Sequence, residues 1–101
     1  MHPTYRVNLT LRAADHLEEI YRYIEQDSPT NAATMIGRLL DAIDALDILP
    51  HRYKVVANPN AVGTEVRSMP VGTYLVRYHV DDTHRIVTIL SVRHGARDAE
   101  A

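Results

Sequence analysis

Apolar and polar positions alternate in period two over Tyr5-Arg6-Val7-Asn8-Leu9, which predicts a short strand. The period then lengthens. Ala13, Leu17, Ile20, Tyr21 and Ile24 recur at helical spacing behind Thr10, whose hydroxyl can cap free helical N–H groups, while Asp15, His16, Glu18, Glu19 and Arg22 fall toward solvent. Ser28-Pro29 predicts a second helix start: Ser accepts from unpaired backbone N–H groups, and Pro at the first helical position gives up no hydrogen bond. Ala32, Ile36, Leu39, Leu40, Ile43 and Leu46 form the stripe of this helix, and Asp41, Asp44 and Asp47 form an acidic outer edge. It is expected to reach Leu49, where Pro50 stops it.

Residues 51–63, with Asn58-Pro59-Asn60 inside them, read as a loop. Three strands are expected next, over 65–69, 74–80 and 85–93. They are joined by Pro70-Val71-Gly72-Thr73 and Asp81-Asp82-Thr83-His84, so they predict an antiparallel meander. Strict alternation puts Ile86, Leu90 and Val92 on one face of the last strand and Val87 and Ile89 on the other. A strand apolar on both faces belongs in the middle of a sheet. The expected fold is α+β in the order β-α-α-β-β-β, with two N-terminal helices on one face of a mostly antiparallel four-stranded sheet, residues 1–101 forming a single domain.

With 46% apolar and 24% charged residues the composition is that of an ordinary globular protein. The chain has no cysteine, which excludes disulfide and thiolate chemistry, and no apolar run of about eighteen residues or export signal, so a cytoplasmic protein without membrane contact is expected. The net charge of −2 and pI near 6.3 argue against a protein that grips nucleic acid through phosphates, for which a pI above about 9 is usual. The charge is unevenly spread. Residues 1–50 hold 4 Lys/Arg against 8 Asp/Glu and residues 51–101 hold 7 against 5, so the halves carry −4 and +2. Two faces with different partners fit that asymmetry.

Six histidines raise the question of a metal. None stands in a His-x-His or His-Glu-x-x-His pattern, and His16 with Glu19 supplies only two ligands where zinc needs three or four, so neither a metal nor another cofactor is expected. The serines and threonines lack a neighbouring histidine–carboxylate pattern, and the glycines form no phosphate loop.

In this order of elements, certain stretches resemble the RelE/ParE toxin superfamily of type II toxin–antitoxin systems. They are Ala13-Ala14-Asp15-His16-Leu17-Glu18-Glu19-Ile20-Tyr21-Arg22-Tyr23-Ile24, the Ala32, Ile36, Leu40 and Ile43 face, and Leu49-Pro50 at the helix end. Val66 to Val80 is similar to the superfamily's central hairpin, and Ile89-Leu90-Ser91-Val92-Arg93-His94-Gly95-Ala96-Arg97-Asp98 to its closing strand and tail. The resemblance covers nearly the whole chain.

The superfamily has two functional branches. Cleavage of messenger RNA needs a base, an acid for the leaving oxygen and cations facing the developing charge. The resemblance to that branch is incomplete: Leu75 follows Tyr74 where an arginine is expected, Lys54 is the only lysine, Gly95 follows His94 where a tyrosine is expected, and the chain ends at Ala101 without a basic or aromatic tail. The hairpin and tail are closer to the ParE branch. That resemblance implies a non-catalytic toxin that binds and inhibits DNA gyrase, is neutralised by a cognate antitoxin, and makes no specific nucleic-acid contact alone. An mRNA endoribonuclease is the alternative, and an inert scaffold a third reading. No catalytic residue is assigned; the candidate partner contacts are Arg67, Arg77, His79, His94 and Arg97. Each has a structural counterpart: Arg67 bonding loop carbonyls, Arg77 and His79 on a solvated sheet face, His94 and Arg97 closing the end of the last strand. The helix edges and an exposed sheet edge suit an antitoxin docking by helix and by added strand.

Overall fold

The computed structural model describes residues 4–56 and 65–98, apart from the side chains of Arg97 and Asp98; the expected loop around Asn58-Pro59-Asn60 lies outside the described residues. The elements are β1 (Arg6–Leu9), α1 (Leu11–Glu25), α2 (Pro29–Asp44), two 3-10 turns (Ala45–Asp47 and Pro50–Arg52), β2 (Val55–Val56), β3 (Val66–Val71), β4 (Tyr74–Asp81), β5 (Ile86–His94) and a short α3 (Gly95–Asp98).

Both helix starts follow from their caps. Thr10 Oγ1 accepts the Ala13 N–H at 3.1 Å and donates to the Ile89 carbonyl at 2.7 Å, so the same hydroxyl ties the first turn of α1 to β5. Ser28 Oγ accepts the Asn31 N–H at 3.2 Å, and Pro29 opens α2. The end of α2 falls earlier than expected, at Asp44 rather than Leu49. Leu49 is left-handed (φ 51°, ψ 55°), because the ring of Pro50 disfavours the right-handed helical conformation in the residue before it. The chain tightens instead into a 3-10 turn that buries Leu46 completely.

The sheet has five strands, in the order β1-β5-β4-β3-β2, where four were expected. The extra strand, β2, pairs Val55 with Arg67 and Val56 with Val66; two residues are too few to show a period in the sequence. β1 runs parallel to β5 and every other pair is antiparallel. Pro70 lies inside β3, but β2 reaches only as far as Arg67, so the missing N–H breaks no ladder on that side. Gly72, at φ +59°, makes the turn into β4.

β5 is internal, between β1 and β4, but its faces differ from strict alternation. Tyr78 pairs with Ile89 and Arg77 with Ser91, which leaves Leu90 as an extra residue in a β-bulge. The bulge resets the phase. Val87, Ile89 and Val92 therefore share the helix-covered face, each buried to within 1% of complete. They meet Met69, Val71, Tyr74, Val76 and Tyr78 from the sheet, and Ala13, Leu17, Leu39 and Ile43 from the helices. Ser68, Leu75, Arg77, His79, Thr88 and Ser91 take the opposite face by register.

Tyr78 and Arg67 are cross-strand neighbours that hold one loop. The Tyr78 hydroxyl donates to the Pro50 carbonyl at 2.6 Å, and Arg67 Nη1 donates to the carbonyls of Tyr53 at 2.7 Å and His51 at 3.1 Å. A second tie joins distant segments at the surface. Asp82 accepts from the Tyr5 hydroxyl at 2.7 Å and lies 2.9 Å from His51 Nε2, and these hydrogen bonds, Tyr5 first, hold its carboxyl below the usual range.

Candidate functional site

Beyond Ile89, β5 has no strand beside it on the β1 side among the described residues, because the chain leaves β1 at Leu9 and turns into α1. α1 fills that position with a side chain: His16 Nδ1 accepts the Val92 N–H at 3.1 Å. His16 was expected in solvent; its place on β5 follows from the need of an unpaired strand N–H for an acceptor. Sequence spacing alone carries no signal for that contact.

A cleft of about 670 Å³ runs alongside, lined by His16, Glu19, Ile20 and Tyr23 of α1, Thr73 and Tyr74 at the hairpin, Val92, Arg93 and His94 of β5, and Ala96. A smaller one of about 310 Å³, between Ile24 of α1 and Asn31, Thr34, Met35 and Arg38 of α2, shares Thr73 and Tyr74 with it. The two form one trough across the hairpin end of the molecule. Tyr23 stands over it with 65% of its surface exposed. The His94 ring meets the edge of Tyr74 at 5.5 Å, nearly perpendicular.

The two histidines are held in a defined state. His94 Nδ1 accepts the Ala96 N–H at 3.2 Å as His16 Nδ1 accepts that of Val92. A nitrogen that accepts carries no proton, so each neutral ring bears its hydrogen on Nε2. Nε2–H is a donor. It cannot take a proton from a hydroxyl, and a neutral imidazole is a poor source of one. In this tautomer each ring offers a donor, and no free lone pair, at Nε2. Burial, then the charges of Arg93 and Arg12, hold the His16 pKa below its ordinary 6.5, against Glu19 and Asp15.

A lowered histidine pKa makes the unfolded chain bind more protons than the folded one. Stability is therefore expected to fall as pH drops below 6.5, and the loss to level off below the folded-state value. An NMR titration of the ring should give a midpoint under 6.5 with the Nε2–H tautomer above it, and His16→Asn should remove that share of the pH dependence.

The sequence-derived contact candidates are not brought together. Arg67 is spent on the His51 and Tyr53 carbonyls. Arg77 and His79 lie half-buried on the helix-free face of the sheet, where His79 Nδ1 is buried without a hydrogen bond among the described residues. Only His94 lines the cleft, and the side chain of Arg97 lies outside the described residues. Among the described residues no three His, Cys, Asp or Glu side chains are placed to hold a metal ion, and no helix is long and apolar enough to cross a membrane.

Comparison with known proteins places this arrangement. The family model for the ParE toxin of the type II toxin–antitoxin system parDE matches residues 7–99. A curated relative, the protein Y4kP of Sinorhizobium fredii, which carries a provisional name as a toxin, is 34% identical over 91 residues, spanning 89% of this chain and 88% of its own. Among solved structures, the chromosomal ParDE system of P. aeruginosa superposes with a TM-score of 0.70 at 17% identity, over 90% of this chain and 96% of that one. The archaeal RelE–RelB complex of Pyrococcus horikoshii gives 0.66 at 20% over 93% and 98%. The RelBE2 toxin–antitoxin complex of Mycobacterium tuberculosis gives 0.60 at 27% over 90% and 91%. With a family model spanning almost its full length and a relative this similar, the chain belongs to the ParE toxin family of type II toxin–antitoxin systems.

Proposed function

We propose that this toxin acts in the cytoplasm, as one domain, by occupying DNA gyrase rather than by cutting RNA, and that a cognate antitoxin neutralises it. The observation that carries the reading is the state of the histidines. His16 and His94 share a cleft with Arg93, a set that would suit phosphoryl chemistry, but their Nδ1 atoms are committed to the backbone N–H groups of Val92 and Ala96. That leaves no histidine base at the cleft, and Glu19 is the one carboxylate among its lining residues. Lys54, the only lysine, is on the segment leading into β2, away from the cleft lining. Removing a single phosphate-facing donor from an active site costs about 3–4 kcal/mol of transition-state stabilisation, so a centre lacking both a histidine base and a lysine would be far slower.

The trough supports the antitoxin part of the reading, since its walls from Ile20, Tyr23, Ile24 and Met35 offer an apolar seat for an amphipathic helix beside an open strand edge. The solved relatives ParDE, RelE–RelB and RelBE2 are toxin–antitoxin assemblies of the same fold. The target is tested by adding pure toxin to gyrase and relaxed plasmid: supercoiling should stop and cleaved DNA should accumulate, whereas unchanged supercoiling counts against gyrase as the target.

A further inference from the structure

The cleft beside β5 combines three kinds of group. It is lined by two rings that carry a hydrogen-bond donor at Nε2, His16 and His94, each held by a backbone bond at Nδ1, and by Arg93, whose charge is felt at His16. It has apolar and aromatic walls, Tyr23 and Tyr74. Its floor is the side of β5 that no strand covers after Ile89 among the described residues. Donors without a base suit an oxyanion. Aromatic walls suit a ligand with apolar parts, which a free inorganic anion lacks. Past Val92, whose N–H is taken by His16, a strand edge suits an extended backbone.

We propose that this cleft is a carboxylate-recognition site for an extended polypeptide segment, which lies along residues 92–94 of β5 and sets its carboxylate against His16, His94 and Arg93. The inference rests on the reading that a partner polypeptide occupies the trough, and it adds what that segment must carry. Glu19 is the one carboxylate among the lining residues and opposes the ligand's charge. The other charged groups around His16 are Arg12 and Asp15 on α1 and Arg93 on β5. A bound carboxylate adds a negative charge beside His16, so it raises the midpoint of that ring.

The test uses the whole chain and a blocked apolar tripeptide, offered as its free acid and as its C-terminal amide, with inorganic phosphate as a third ligand, followed by NMR at the His16 and His94 rings and the 90–96 amides. The free acid should bind, raise the His16 midpoint, and bind roughly tenfold more tightly than the amide, the size of one charge-assisted contact. Arg93→Gln, at an exposed position, should bring the acid down to the level of the amide, and Glu19→Gln should strengthen the acid alone. Equal binding of acid and amide, no shift of either ring at millimolar peptide, or phosphate binding as tightly as the acid would each overturn the proposal. Neither gyrase nor antitoxin is present, so a negative result removes the carboxylate site and leaves the toxin reading standing. RNA fragments made by the pure chain would remove that reading and leave the peptide result untouched.

Discussion

Tyr78→Ala is expected to destabilise the fold by about 4 kcal/mol, a large share of the stability of a domain of this size. Tyr78 is fully buried at the centre of the sheet, opposite Arg67 on β3 and Ile89 on β5. Its ring fills space that no neighbouring strand can collapse into. Its hydroxyl is the donor for the Pro50 carbonyl, at the start of the second 3-10 turn. Tyr78→Phe separates the two roles. It keeps the ring and leaves the buried carbonyl without its partner, so it should cost about 1–2 kcal/mol, a fall of roughly 5–15 °C in Tm. The phenol pKa is pushed up to about 12 by burial, against the nearby Arg67 charge. An unfolded tyrosine ionises near 10, so the folded chain keeps its proton longer and stability drops as pH rises from 10 toward 12. That share of the alkaline loss should be missing in the Phe variant. Thermal melts of the three proteins at pH 7, and of wild type and Tyr78→Phe at pH 11, check both statements; a Phe variant with the wild-type Tm would mean that the hydroxyl does not hold the loop.

Tyr23→Ala is expected to do the opposite: little to the fold and much to the partner. The side chain stands 65% exposed over the trough, so its removal should change stability by no more than about 0.5 kcal/mol. An exposed aromatic lining a groove is the kind of residue that dominates an interface, and losing it should weaken antitoxin binding by about 2 kcal/mol, roughly thirtyfold. Arg22, one position earlier, pairs with Glu18 along the helix and faces away from the lining, so Arg22→Ala serves as the control with unchanged affinity. Calorimetry of the three toxins against the co-encoded antitoxin measures this. Equal affinity for Tyr23→Ala would place the antitoxin elsewhere.

The helices and the hairpins were legible because their signals are local. Thr10, Ser28 and Pro29 mark helix starts through their own side chains, and Gly72 marks a turn through its backbone. Features that depend on a partner far along the chain were not legible. The bulge at Leu90 is one: alternation is read one strand at a time, but the extra residue exists only relative to Arg77 on β4. The early stop of α2 needed the backbone at Leu49, and β2 needed Arg67 to pair with. The candidate site shows the same division. His94 stands out by its place in the closing motif, but His16, which helical spacing places on a solvated face, joins it through one hydrogen bond to Val92, 76 positions along the chain. Arg67, Arg77 and His79 were chosen for their chemistry on the hairpin, and the register sends them to two different faces.

A toxin that binds and does not cut should leave messenger RNA whole. The most direct measurement is incubation of pure toxin with a defined messenger RNA, with and without translating ribosomes, followed by primer extension. Intact transcript in both cases is the result expected, because His16 and His94 present donors where a base is required. Fragments that appear with wild type and vanish with His94→Ala would contradict it.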